Sequence, residues 1–294
     1  MCVSKITIRK FIKLMLQIYL YKLLLYPIFL MGGYESLSFQ RIAILLMPVW
    51  GFGGNFVDCF IVFWLSIPFL TILVQNLNKR QHQLLLVLSL GCYTLLGTIP
   101  TFQIHFNYIT WFCVIFFIAS YIRLYPHRIF DNRRLFGWLT VLSILLALLS
   151  TTIMHIKYGS HSTIAASHYF VCDCNKLFAV MIAVFSFLWF KNLRIKYNVV
   201  INTLGAGTFG VLLIHANSDA MRTWLWQDTI DALGHYALPF FQQVLFSIVV
   251  IGGVFIICNL IDQIRIHTLE KWFFQWYDNK VSAKAEALIQ KVIQ

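Results

Sequence analysis

The stretch from Asn202 to Trp226, NTLGAGTFGVLLIHANSDAMRTWLW, holds the densest set of residues able to do chemistry. His215 ends an apolar run, Asn217, Asp219 and Arg222 follow at once, and Trp224 and Trp226 come next. A histidine can take or give a proton near neutral pH, and an arginine can hold an anion or a sugar oxygen. A polar helix end set in an aromatic belt has the same pattern. The residues alone weigh the two readings equally. Upstream, Gly205, Gly207 and Gly210 form a small-residue face that permits close helix packing.

Other groups stand apart. Lys22 sits near the middle of an apolar run. A charge there is costly and marks function unless it snorkels or meets a backbone carbonyl. Asp58 is expected at a solvated helix end. His161, His168, Cys172 and Cys174 share one segment in the spacing H-x6-H-x3-C-x-C. These are metal-ligand types, but the spacing matches no zinc pattern, so an ordinary loop and no metal site is expected. Cys59, Cys92, Cys113 and Cys258 lie inside apolar runs and read as small core residues, not as a disulfide framework.

The elements that must position these groups are membrane spans. Of the 294 residues, 60% are hydrophobic and 12% charged, too apolar for the core of a soluble domain to hide. Eight spans are predicted, at 11–31, 53–74, 84–101, 106–124, 136–155, 177–190, 199–216 and 240–261, the sixth short enough to extend upstream. Residues 42–50 are too short to cross and contain Pro48, so they read as interfacial or re-entrant. If the N-terminus is inside, the inner segments and their flanks carry 18 of the 23 Lys and Arg, and the outer loops carry four. That alternation is the positive-inside pattern. It assigns the net charge of +12 to topology and not to nucleic acid. The expected fold is an all-α, polytopic integral membrane helical bundle of about eight transmembrane helices with both termini cytoplasmic. Residues 1–262 form the membrane domain, and 263–294 form an amphipathic cytoplasmic tail whose Trp272, Phe273, Phe274, Trp276 and Tyr277 suit an interfacial anchor.

Three stretches carry a family resemblance. "GAGTFGVLLIH", Gly205 to His215, followed by "DAMRTWLW", resembles the late helix of acyltransferase family 3, with Leu212 where a Tyr is common. "NYITWFCVIFFIASYIRLYP", residues 107–126, resembles that family's mid-chain helix and carries Arg123. "VFWLSIPFLTILVQNLNKRQH", residues 62–82, resembles its helix with a Pro-Phe-Leu-Asn ending, with Thr71 in place of the Asn. The opening "KITIRKFIKL" resembles the basic loop before the family's third helix. The chain therefore reads as a member lacking its first helical pair, where the family carries an Arg and the His expected as catalytic base.

The resemblance implies a membrane O-acyltransferase of the bacterial inner membrane. It would move an acyl group, acetyl in the first instance, from a cytoplasmic acyl-CoA such as acetyl-CoA to a hydroxyl of a surface polysaccharide or lipid-linked sugar. Membrane lipid and that glycan would be its partners, with no nucleic acid. His215, Arg222 and Arg123 are the candidate catalytic residues in the part present. Arg9, Lys10 and Lys13 are the candidates for the CoA phosphates. The absent His segment equally favours an inactive fragment or a non-enzymatic scaffold of glycan assembly. A transporter or flippase would instead show midplane charges, broken helices and paired halves.

Overall fold

The computed structural model describes residues 8–47, 56–102, 104, 106–158 and 168–280. Every regular element among them is helical: α1 (Ile8–Met31), α2 (Phe39–Leu46), α3 (Phe56–Asn76), α4 (Lys79–Leu90), α5 (Tyr108–Leu124), α6 (Arg133–Tyr158), α7 (Leu177–Lys191), α8 (Val199–Ala206), α9 (Thr208–His215), α10 (Asp219–Arg222), α11 (Phe240–Arg265) and α12 (Lys271–Lys280). Four helical runs are long and apolar enough to cross a bilayer: Arg9–Met31, Phe56–Asn76, Arg133–Lys157 and Phe241–Asn279. Residues 53–55 of the second expected span, 48–50 of the short apolar run and 281–294 of the tail lie outside the described residues.

The chain forms two compact units, one from residues 49–195 and one from 5–48 with 196–294. In the first, α3 and α5 pack through aromatic rings. Phe112 stands 5.2, 5.7 and 5.4 Å from Phe56, Phe60 and Phe63, mostly edge to face. α6 and α7 pack along their length. Gly137 lets them close, because a Cβ there would lie 3.3 Å from the Trp189 ring nitrogen. His82 is fully buried at the start of α4, with its Nε2 3.0 Å from the Phe117 carbonyl of α5.

α7 starts at Leu177 and does not extend upstream. Its 15 residues span about 22 Å, short of the ~30 Å hydrocarbon core. What holds its start is the end of α4, which continues as a π-turn over Gly91–Leu96. Asn175 Nδ2 donates to the Tyr93 carbonyl at 2.8 Å, and the buried Lys176 ammonium donates to the Gly97 carbonyl at 2.7 Å. A helix end leaves carbonyls unpaired and carries partial negative charge. A lysine and an amide placed there satisfy both demands, and they pull the chain into the bundle just before α7.

In the second unit α2 is a short amphipathic helix. Ser38 caps it, its Oγ accepting the Arg41 N–H at 3.2 Å, and the Tyr19 hydroxyl donates to the Leu46 carbonyl at 3.1 Å. α11 does not stop at residue 262. A π-turn over Ile266–Glu270 joins it to α12, so the boundary between 262 and 263 falls inside one helical run.

Candidate functional site

The second unit is organised around a buried circuit of charges. Arg9, Lys13, Gln17 and Tyr21 recur every four residues on α1, which puts them on one face. Asp262 of α11 is completely buried. Its Oδ1 accepts the Tyr21 hydroxyl at 2.7 Å, the Gln17 amide at 3.3 Å and the Arg265 Nε–H at 2.7 Å. Its Oδ2 accepts a further Arg265 N–H at 3.3 Å. Arg265 donates onward to Glu270 at 2.5 Å, and Glu270 holds the Lys13 ammonium at 2.6 Å. The circuit leaves α1 at Tyr21 and returns at Lys13. Two carboxylates balance two cations, with Lys13 half-exposed at the open end of the circuit and the other three charges buried.

Local geometry builds each corner. Asp262 and Arg265 are three residues apart, one turn of α-helix. Glu270 is five beyond Arg265, where an α-helix would carry it off that face. The π-turn Ile266–Glu270 sets bonds between residues five apart and brings Glu270 back beneath Arg265. One turn beyond Lys13 along α1, Arg9 pairs with Asp278 at 2.9 Å and stacks 5.0 Å over the Phe274 ring.

Against this circuit lies the glycine face. α8 and α9 are one helical run broken at Gly207. At Gly210 a Cβ would overlap the Asp262 carboxyl group, and at Gly207 it would lie 2.7 Å from the Asn259 amide nitrogen. Gly205 has open space. The small-residue face is therefore two glycines deep, not three. Carbonyls freed near the break are used: Asn259 Nδ2 donates to Leu204 and Gln263 Nε2 to Thr203, each at 2.8 Å.

His215 ends α9, five residues and about 7.5 Å of helix rise beyond Gly210. Its Nδ1 lies 2.7 Å from the Val211 carbonyl. A carbonyl only accepts, so Nδ1 carries a proton, and in the neutral ring Nε2 holds the lone pair. That is the tautomer a general base needs. His235 and His267 make the same local bond, so the bond itself is a helical habit. Beyond His215, Ser218 caps α10 and the exposed Arg222 pairs with Asp219 at 3.5 Å. Trp224 meets Phe29 of α1 with ring centroids 6.0 Å apart. The Tyr34 hydroxyl donates to Asp228 at 2.6 Å, and that hydrogen bond holds the phenol above its ordinary range.

No family model, curated protein or solved structure matches this chain.

The expected site residues are thus dispersed. His215 and Arg222 share one end of α9 and α10, with no hydrogen bond between them among the described residues. Arg123 is exposed in the last turn of α5, in the other compact unit. Arg9 and Lys13 already hold carboxylates, while Lys10 is exposed. Asp58 corrects one expectation: it is 3% exposed in the first turn of α3, not solvated. Lys22 is half-buried on α1. His161 lies outside the described residues. Among those described, no three His, Cys, Asp or Glu converge as metal ligands. Partial burial is the main influence raising the Cys172 and Cys174 thiols, which keeps them from the thiolate form.

The circuit has a signal in the sequence. A polar residue every fourth position in an otherwise apolar helix demands a polar partner elsewhere, and Asp262 with Arg265 ends the last apolar run.

Proposed function

We propose that the chain is a multi-pass acyltransferase of the bacterial inner membrane, crossing eight times with both ends in the cytoplasm. It would transfer an acyl group, acetyl in the first instance, from acyl-CoA to a hydroxyl of a surface polysaccharide or lipid-linked sugar. The observation that carries the reading is the run Gly205–His215. The stretch that resembles acyltransferase family 3 is also the one seated by its glycines on the buried charge circuit, and it ends in a histidine with Nε2 free to accept a proton. The eight-pass topology puts His215 at the outer end of its span, so the thioester of a cytoplasmic acyl-CoA would have to reach it through the membrane domain; there Nε2 would take the proton of the acceptor hydroxyl as its oxygen attacks the thioester carbonyl. The imidazolium would return that proton to the departing thiolate of CoA. Arg222 is placed in sequence to steady the developing oxyanion.

The test is transfer of label from acetyl-CoA to the native glycan by the full chain in proteoliposomes. His215→Ala should lower transfer by about 100-fold or more while leaving elution and thermal stability unchanged. Wild-type protein that transfers no label, or a His215→Ala variant as active as wild type, would sink the reading.

One observation favours a second reading, a non-enzymatic scaffold of glycan assembly. Arg9 and Lys13, the cations best placed in sequence for CoA phosphates, are committed to Asp278 and Glu270. A transporter gains less support: the broken helix it calls for is present, but Thr203 and Leu204 carbonyls are occupied by Gln263 and Asn259.

A further inference from the structure

In the first unit, the start of α6 and the end of α7 border an open cleft of about 360 Å³, lined by Asp131, Asn132, Arg133, Arg134, Asn192 and Arg194. Its only acid, Asp131, is held by Lys191 at 3.4 Å. None of the three arginines has an ion pair among the described residues. Asn192 Nδ2 donates to the Phe130 and Leu188 carbonyls at 2.6 and 2.8 Å, which fixes the loop that carries Asp131 against the end of α7. Asn132 Oδ1 accepts the Leu135 N–H at 3.1 Å, which fixes the segment that carries Arg133 and Arg134. The walls are thus braced and the guanidinium groups are uncommitted.

Positive-inside topology calls for basic residues in such a loop, but not for three arginines converging on one cleft without acid partners. Lys79, Arg80 and Arg123 also have no ion pair among the described residues, so what sets these three arginines apart is that they line one cleft together. A planar guanidinium fork matches the oxygens of a phosphate two at a time. We propose that this cleft is a binding subsite for a phosphate group, held by Arg133, Arg134 and Arg194. The same chemistry is offered by a soluble diphosphate and by an anionic lipid headgroup. The proposal stands on the first unit alone and does not rest on acyl transfer, so either can fail without the other.

The experiment uses the full chain in nanodiscs. In neutral lipid, inorganic pyrophosphate is titrated by calorimetry into wild type, the double variant R133Q/R194Q, and Arg80→Gln, which removes one inner-side charge from α4 outside this cleft. In phosphatidylglycerol nanodiscs, native mass spectrometry counts lipid retained by the same three proteins. The subsite predicts about tenfold weaker binding per arginine removed in one arm or the other, with Arg80→Gln near wild type. Arg194→Lys, which keeps the charge but not the fork, should fall between wild type and Arg194→Gln. Loss in the pyrophosphate arm identifies a soluble ligand, and loss in the lipid arm a headgroup. If R133Q/R194Q loses no more per charge than Arg80→Gln in both arms, or neither ligand binds wild type, the cleft is only part of a general basic belt and the proposal falls.

Discussion

Replacing Asp262 with alanine should destabilise the second unit by about 3–5 kcal/mol, the cost of removing one partner from a buried ion pair. Asp262 is fully buried and accepts hydrogen bonds from Tyr21, Gln17 and Arg265. Without it, Arg265 keeps only Glu270, which already holds Lys13. One positive charge then lies buried without balance. The Tyr21 hydroxyl and the Gln17 amide also lose their acceptor, and α1 is no longer tied to α11. Replacing both members, D262L/R265L, removes the charges together and leaves Glu270 with Lys13, a balanced pair. The double variant should therefore recover the part of the loss that comes from unbalanced charge, while Tyr21 and Gln17 remain without their acceptor. Unfolding free energies from denaturing-detergent titrations of wild type, D262L, R265L and D262L/R265L form a double-mutant cycle. Near-additive losses would show that the two side chains act separately and would contradict the circuit.

The second large effect is at the glycines, where neighbouring positions should respond with opposite sign. An alanine at Gly210 would put its Cβ into the Asp262 carboxyl group, and that carboxyl group is fixed by hydrogen bonds from three side chains. An alanine at Gly207 would press on the Asn259 amide, which is bonded to the Leu204 carbonyl. Each substitution should cost about 1–3 kcal/mol as overpacking, with Gly210 the more severe. Gly205 faces open space in a helical conformation. Alanine there should stabilise by about 0.4–1 kcal/mol through the unfolded chain. The same detergent titration reads all three. Equal losses at Gly205 and Gly210 would mean that α9 does not sit on Asp262.

Helices were the most legible feature of the sequence, because long apolar runs leave the backbone little choice in a bilayer. Among the described residues each expected run overlaps helix, but only four helical runs are long and apolar enough to cross; Tyr108–Leu124 and Leu177–Lys191 are shorter, and the run at 199–216 is two short helices. The glycine face was legible as a packing surface, but not its depth, which depends on where Asp262 and Asn259 meet it. The circuit was the hard part. Lys13, Gln17 and Tyr21 lie 257, 245 and 241 residues before their partners, and no local rule pairs them. Glu270 reaches Arg265 only through a π-turn, a local widening that a 3.6-residue period does not foresee. Asp58 lies near a run end, a position that predicts solvent, whereas packing covers it. The start of α7 depended on Lys176, which reads as a loop charge in sequence but bonds the Gly97 carbonyl 79 positions away.

The proposed topology is a chain that crosses the membrane eight times with both ends inside. Alkaline phosphatase fusions joined after Ser36, Asn78, Thr101, Arg128, His168, Lys196, Leu233 and Lys280 test it most directly, since the enzyme is active only outside the cytoplasm. The eight-pass topology predicts activity after Ser36, Thr101, His168 and Leu233, and none after Asn78, Arg128, Lys196 and Lys280. Activity after Arg128 or Lys280, or silence after Thr101 or Leu233, would contradict it.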